Sequence, residues 1–152
     1  MKLLISSIVL ILMSGFWYAS AGYNPYEQSD AEGAIQIIVI DEFGEIVVQD
    51  TISFNDEDTL LSLLLANYHV TTQPSVSSSL TGTVILGIDT VVTDFESDFI
   101  RILIDGYLYD RNGDLVEMNR KMSSLGIDLI PLIDGNTYIF EYAQVNGKGG
   151  NS

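Results

Sequence analysis

The sequence has no cysteine, a single histidine, and only six lysines and arginines among its 152 residues. Without cysteine, the chain can form no disulfide, no thiolate nucleophile and no zinc–cysteine site. Six basic residues against 21 acidic ones give a formal net charge of -15. This excludes a nucleic-acid-binding protein, because phosphate binding depends on clustered Lys and Arg. A hydrophobic share of 47% still predicts a folded chain, since disordered chains of high charge are poor in apolar residues.

The first 21 residues have the pattern of a secretory signal peptide. Met1-Lys2 is a short basic start, residues 3–13 are apolar apart from two serines, and Ala19-Ser20-Ala21 is a small-residue cleavage pattern. The apolar run is shorter than the roughly 20 residues that a spanning helix needs. We therefore predict cleavage after Ala21 and a secreted protein. The alternative is an uncleaved N-terminal anchor, lengthened by residues 16–18, which would keep the protein at the cell surface and be its only membrane contact.

Composition divides the chain into four segments. After the signal at residues 1–21, the polar residues 22–33 are predicted to be a linker. Residues 34–143 are predicted to be one folded domain, and the Gly- and Asn-rich residues 144–152 a disordered tail. This length fits a single domain.

The predicted domain consists of strands with one early helix. Residues 34–40 are apolar and β-branched, which is typical of a strand buried on both faces. Residues 46–54 alternate apolar and polar side chains, as in a strand with one core face, and should form a hairpin with the first strand. A helix is predicted at 59–67, where the preceding acids suit a helix start. Its apolar stripe should cover a sheet, with members Leu60, Leu61, Leu64, Leu65 and Tyr68.

The second half of the chain adds more strands. Residues 69–80 are predicted to be a loop, and Asn112-Gly113 predicts a hairpin turn. The further strands are predicted at 83–88, 99–104, 128–133 and 137–143, the last two paired across residues 134–136. Together these elements favour a small α+β fold of β-grasp type, a mixed or antiparallel sheet with one helix packed on it.

Several short motifs follow one another in a distinctive order. Asp58-Thr-Leu-Leu61 opens the helix, Gly82–Asp89 and Phe99–Gly106 follow, and Pro131–Gly135 precedes Tyr138-Ile-Phe140. In this order they resemble the transcobalamin-like C-terminal domain, a module of animal cobalamin carriers and of exported bacterial proteins of unassigned function. The likeness covers residues 34–143. It departs from the family at Phe99-Ile100, where an aromatic pair is frequent, at Asp105-Gly106, where Asn-Gly is usual, and in an apparent insertion at 111–122.

The resemblance implies a small-molecule-binding module without enzymatic activity, with a corrinoid such as cobalamin as one ligand. In the animal carriers this domain closes over one face of the corrinoid, and a helical domain that these 152 residues do not contain holds the other. A domain that contacts only one face of the corrinoid should bind it weakly, because less of the ligand is buried. The rival hypothesis is an extracellular protein-interaction module that adds a strand to an exposed sheet edge.

Candidate binding residues come from this resemblance and from the aromatic and polar residues near it. His69 could ligate a metal or a corrinoid cobalt, or simply end the helix. Tyr107 and Tyr109 lie two apart on one strand face, where their rings could hold a ligand or pack across strands. The predicted ligand-binding set is Tyr68, His69, Phe99, Asp105, Gly106, Tyr107 and Tyr109.

Two acidic loops are candidate calcium sites. Asp94, Glu96 and Asp98 alternate in one of them, and Asp110, Asn112 and Asp114 copy the start of an EF-hand loop that then fails at its sixth and twelfth positions. Solvated loop acids and a hairpin turn are the plainer explanations. No G-x-S-x-G nucleophile motif is present. We therefore predict no catalytic residues and no enzymatic activity.

Overall fold

The computed structural model describes residues 28–76 and 80–145. Within these ranges the strands are β1 (Gly33–Ile40), β2 (Ile46–Phe54), β3 (Val70–Pro74), β4 (Thr83–Ile88), β5 (Val91–Val92), β6 (Asp98–Asp105), β7 (Tyr107–Tyr109), β8 (Leu115–Glu117), β9 (Lys121–Met122) and β10 (Thr137–Gln144), with helix α1 (Leu60–Asn67) after β2. The main sheet has the order β2-β1-β10-β6-β9, beside a sheet β3-β4-β5 and the hairpin β7-β8. The fold is α+β with a mixed sheet, as predicted.

The β1–β2 hairpin forms as predicted. Its register runs from Gly33 opposite Phe54 to Ile40 opposite Ile46. At the turn, the Asp41 carboxylate accepts hydrogen bonds from the backbone N–H groups of Phe43 and Glu45, each at 2.9 Å. β1 is fully buried on one face only, because its even-numbered residues are half-buried rather than enclosed. The prediction of burial on both faces was therefore wrong.

β10 lies at the centre of the main sheet, parallel to β1 and antiparallel to β6. The strand predicted at 128–133 does not exist, since both edges of β10 are already occupied by these two strands. Those residues form an irregular segment held by the Tyr138 hydroxyl, which donates to the Pro131 carbonyl at 2.7 Å and accepts from the Ile133 N–H at 3.1 Å. The predicted loop at 69–80 likewise contains β3, which pairs with β4.

Helix α1 packs its buried leucines into the hydrophobic core that it shares with the main sheet. A capping box starts it: the Thr59 hydroxyl accepts from the Ser62 N–H, and the Ser62 hydroxyl accepts from the Thr59 N–H. The acids before it therefore build the preceding turn, in which Asp58 accepts from the Asn55 N–H, rather than the cap. Leu60, Leu63 and Leu64 are the buried helix residues, whereas Leu65 of the predicted stripe is 55% exposed.

The chain just before β1 is attached to the domain. The Asp30 N–H donates to the Leu132 carbonyl at 2.8 Å, and the Leu132 N–H donates to the Ser29 hydroxyl at 3.0 Å. The end of the predicted linker is thus part of the folded unit. The predicted signal peptide lies outside the described residues, as do residues 146–152 of the predicted tail. Among the described helices, none has the length and apolar character to cross a membrane.

Candidate functional site

The larger of two cavities formed by described residues is a groove of about 470 Å³ between β4 and β6. Its lining is predominantly apolar and carries no charged side chain. The lining residues are Leu80, Thr83, Val84, Ile85, Phe95, Phe99, Ile100, Ile102, Met122, Ser123, Leu125, Gly126 and Val145. A second cavity of about 140 Å³, beside β7 and β9, is too small for a ligand of drug size. The larger groove is therefore the candidate site.

One wall of the groove is the outer edge of β6. β9 pairs with this edge only at Leu103 and Ile104, and one further hydrogen bond runs from the Ser123 N–H to the Ile102 carbonyl at 2.8 Å. In an antiparallel ladder, the N–H and C=O of alternate residues point to the same neighbour. Ile100 therefore faces the same side as Ile102, at the part of the edge that β9 leaves uncovered.

The opposite wall is the outer edge of β4. Thr83 turns its backbone away from β3: its carbonyl accepts from the Ile127 N–H at 2.9 Å, and its N–H donates to the Asp128 carboxylate at 2.6 Å. By the same alternation, Ile85 faces the groove. The segment from Met122 to Gly126 crosses from the β6 edge to the β4 edge and closes one end. The groove thus exists because two strand edges stand side by side without pairing.

Phe99 is the one predicted ligand-binding residue that lines the groove. It is half-buried on β6, next to the edge described above. Phe95, a second aromatic ring in the lining, was not predicted. It has a left-handed backbone with φ of 62°, and an aromatic residue inside an otherwise acidic loop was the signal that could have found it.

Tyr68 and His69 lie at the end of α1 and not in the groove. The Tyr68 hydroxyl donates to the Asp50 carboxylate at 2.8 Å, so that partial burial and this carboxylate raise the pKa of Tyr68. His69 is exposed. Its N–H donates to the Asp89 carboxylate at 2.9 Å, and its carbonyl accepts from the Asp89 N–H at 2.8 Å. Both residues attach the end of α1 to neighbouring strands, and neither lines the groove.

Asp105, Gly106 and Tyr107 form a tight bend between β6 and β7. Asn136, which is 1% exposed, accepts from the Tyr107 N–H at 2.8 Å and donates to the Tyr107 carbonyl at 2.7 Å. A Cβ at Gly106 would overlap the Asn136 side chain, and Gly106 has a φ of +135°. Glycine is required here both by close approach and by backbone conformation. Asp105 is exposed beside this bend, outside the groove.

Tyr109 attaches β7 to the segment before β1 by hydrogen bonding. Its hydroxyl donates to one carboxylate oxygen of Asp30 at 2.7 Å, and the other oxygen accepts from the Asp134 N–H at 2.8 Å. The neighbouring carboxylate raises the pKa of Tyr109. Tyr109 therefore acts in holding the chain together, outside the groove.

The acidic loop does not form the predicted metal site. Asp94 accepts hydrogen bonds from the N–H groups of Glu96 and Ser97 at 2.7 and 2.8 Å and from the Ser97 hydroxyl at 2.8 Å. These bonds hold the pKa of Asp94 well below its usual range. Asp98 accepts from the Asp94 N–H and from the Tyr142 hydroxyl. The carboxylates of Asp94 and Asp98 thus accept hydrogen bonds from the loop and from Tyr142. Residues 28–76 and 80–145 contain no cluster of three or more acidic or His side chains placed to hold a metal ion.

The EF-hand-like segment is likewise a turn. Asp110 accepts from the N–H groups of Asn112 and Asp114 at 2.8 and 3.0 Å, and Gly113 has a φ of 79°. The hairpin predicted from Asn112-Gly113 is confirmed by the pairing of β7 with β8.

Comparison with known proteins gives a distant likeness to solved structures. No protein-family model matches the chain, and no curated protein matches it. Among solved structures, the chain is similar to the crystal structure of a putative metal binding protein from Ruminococcus gnavus, with a TM-score of 0.48 and 15% sequence identity. The match covers 76% of this chain and 100% of that one. What the groove can bind follows from its own residues.

Proposed function

We propose that the protein is an exported, non-enzymatic module that binds a small molecule in the groove between β4 and β6. The observation that carries this proposal is the groove itself: about 470 Å³ of space lined by apolar side chains that include two phenylalanines. Ligand pockets are typically about 300–1,000 Å³ and mostly apolar, with a few polar groups that set orientation. Thr83, Ser123 and the outward backbone groups at Ile85 and Ile100 would supply those polar contacts.

A binding role without catalysis agrees with the chemistry of the lining. No side chain that lines the groove is a general acid or base. The Ser123 hydroxyl is engaged with the backbone of Leu125, donating to its carbonyl at 3.1 Å and accepting from its N–H at 3.0 Å. The exposed His69 lies outside the lining. A nucleophile with a base to activate it is what acyl-transfer catalysis would need.

The sequence resemblance makes a corrinoid the first ligand to test. Topology supports the finer fold assignment within this proposal: a β-grasp has a hairpin, a helix and a further antiparallel pair, with the first and last strands parallel at the centre. β1, β2, α1, β6 and β10 follow that order. A corrinoid with its amide side chains is larger than the groove, so only one edge of it would enter. We therefore expect weak binding, with most of the ligand left to another partner.

Titration of the purified protein with cobinamide and cobalamin, followed by absorbance and calorimetry, tests the proposal. Phe99→Ala should weaken binding about 10- to 100-fold, since burying an aromatic side chain contributes about 1.5–3 kcal/mol. Phe43→Ala is the matched control, because Phe43 is 80% exposed at the β1–β2 turn and does not line the groove. No signal up to millimolar ligand would end the corrinoid assignment. Equal affinity of the Phe99→Ala variant and the wild type would remove the groove as the site.

A second candidate function is strand addition at the free edge of β2. β2 is nine residues long, contains no Lys, Arg or Pro, and has β1 on one side only. Exposed edges without such residues are prone to pair with another strand. Gln36 donates its N–H to the Asn136 carbonyl, on the side of β1 away from β2. Its partner Thr51 in the β1–β2 register therefore directs its backbone to the open edge of β2. Extended peptides selected from a displayed library should lose affinity for Thr51→Pro and keep it for Thr51→Ala. Equal binding to both variants would exclude this edge.

A further inference from the structure

The rim of the groove is acidic although its lining carries no charge. Phe95 in the lining stands between Asp94 and Glu96, and Phe99 follows Asp98. On the opposite wall, Asp128 is fixed by its 2.6 Å hydrogen bond from the Thr83 N–H. Negative charge therefore flanks both walls.

Within the part of the chain that the structure describes, positive charge near the groove does not balance these acids. Arg101 lies on β6 between two lining residues, but its guanidinium is paired with Glu141 on β10 at 2.7 Å. Lys121 adjoins Met122 at the closed end and is exposed. The chain as a whole carries a net charge of -15, so the long-range field has the same sign as the rim. Such a field attracts cations and repels anions.

We propose that the groove selects an apolar organic cation over an anion of the same shape. This inference rests on the proposed function, since it names the chemical class of the molecule bound at that site. The rings of Phe95 and Phe99 favour the same class, because an aromatic face attracts a cation placed over it. An anionic amphiphile such as a fatty acid would meet the same apolar lining but would be repelled at the rim.

The size of the preference follows from the charges. Four rim carboxylates and Lys121 sum to about three negative charges, whose distance from a bound ligand is taken as about 10 Å in water-like surroundings. Coulomb's law with ionic screening then gives a cation an affinity about 20-fold above that of a matched anion at 10 mM salt, and about threefold above it at 150 mM. The steep dependence on salt separates this effect from differences in apolar contact.

Three naphthalene compounds test the inference: 1-naphthylmethylammonium, 1-naphthylmethanol and 1-naphthoate, titrated by fluorescence at neutral pH in 10 and 150 mM salt. Glu96→Gln removes one rim charge, and no hydrogen bond of its side chain is lost among those described. It should reduce the preference at 10 mM salt to about sevenfold. Glu57→Gln makes the same change in the turn before α1, away from the groove, and should leave the preference at about 20-fold.

The neutral alcohol tests the groove as a binding site separately from its preference for cations. Both the site and its selectivity are supported if two results are obtained. The alcohol must bind, with an affinity that Phe99→Ala lowers, and the cation must bind more tightly than the anion with the stated salt dependence. If the alcohol binds at the groove but cation and anion bind equally at 10 mM salt, the selectivity is overturned and the proposed function stands. If none of the three compounds binds at millimolar concentration, both fall.

Discussion

The contact between Asn136 and the bend at Gly106 provides a strong test of the fold. Asn136→Ala removes two short hydrogen bonds, leaving the N–H and carbonyl of Tyr107 unpaired at a site where Asn136 is 1% exposed. Each unpaired buried group costs about 1–3 kcal/mol, so the free energy of unfolding should fall by about 2–6 kcal/mol. This is a large part of the 5–15 kcal/mol typical of a domain. Urea unfolding followed by circular dichroism measures it.

A double-mutant cycle sharpens this test. Gly106→Ala alone should be costly because its φ of +135° strains an L residue and its Cβ would overlap Asn136. With Asn136→Ala already present the overlap is gone, so the two losses should fall short of additivity by about 0.5–3 kcal/mol. Asn112→Ala, at an exposed turn where only the backbone N–H is bonded, is the control and should change stability by less than about 0.5 kcal/mol. Additive losses in the cycle, or a loss for Asn136→Ala smaller than that for Asn112→Ala, would refute the reasoning.

Three further predictions concern packing, pH and processing. Leu63→Ala should lower the free energy of unfolding by about 2–4 kcal/mol because Leu63 is buried. Leu65→Ala, at a residue 55% exposed, should lower it by under about 0.5 kcal/mol. Equal losses in urea unfolding would contradict the helix orientation. The lowered pKa of Asp94 stabilises the fold above the ordinary aspartate pKa of about 3.9 and loses that effect as pH falls through the folded value. The melting temperature of Asp94→Asn should therefore lie below that of the wild type at pH 6 and approach it in strong acid; a gap that widens in acid would reverse the sign. Mass spectrometry of the exported protein should show an N-terminus at Gly22, and an intact N-terminus would favour the anchor.

Elements with a strong local pattern could be predicted from the sequence. The β1–β2 hairpin, α1, β4 and the turn at Asn112-Gly113 each have their own alternation, leucine spacing or turn residues. The predicted strand at 128–133 failed because its apolar residues are buried without belonging to a ladder: Ile130 and Leu132 are in the core, and Pro131 has no N–H to donate. Apolarity indicated burial there, and it did not indicate pairing.

The groove could be predicted only in part, because it is a product of tertiary arrangement. Phe99 was predicted as an aromatic residue opening a strand in the stretch that resembles the family, whereas Ile85 and Met122 contribute through strand edges that meet only in the folded domain. Tyr68 and Tyr109 were predicted as ligand contacts because they are aromatic residues near turns. In the structure their hydroxyls bond to Asp50 and Asp30, partners 18 and 79 residues away that no local pattern reveals.

The parallel pairing of β1 with β10 affects how the domain can fold. These strands are the first and last of the described chain, yet they are neighbours at the middle of the main sheet. A growing polypeptide therefore cannot complete this sheet until its final strand has been made, and closing so long a loop is entropically costly and slow. Until then, the apolar face of β1 lacks its partner and is open to aggregation. We expect truncations that remove β10 to abolish folding of the whole domain rather than to shorten one edge.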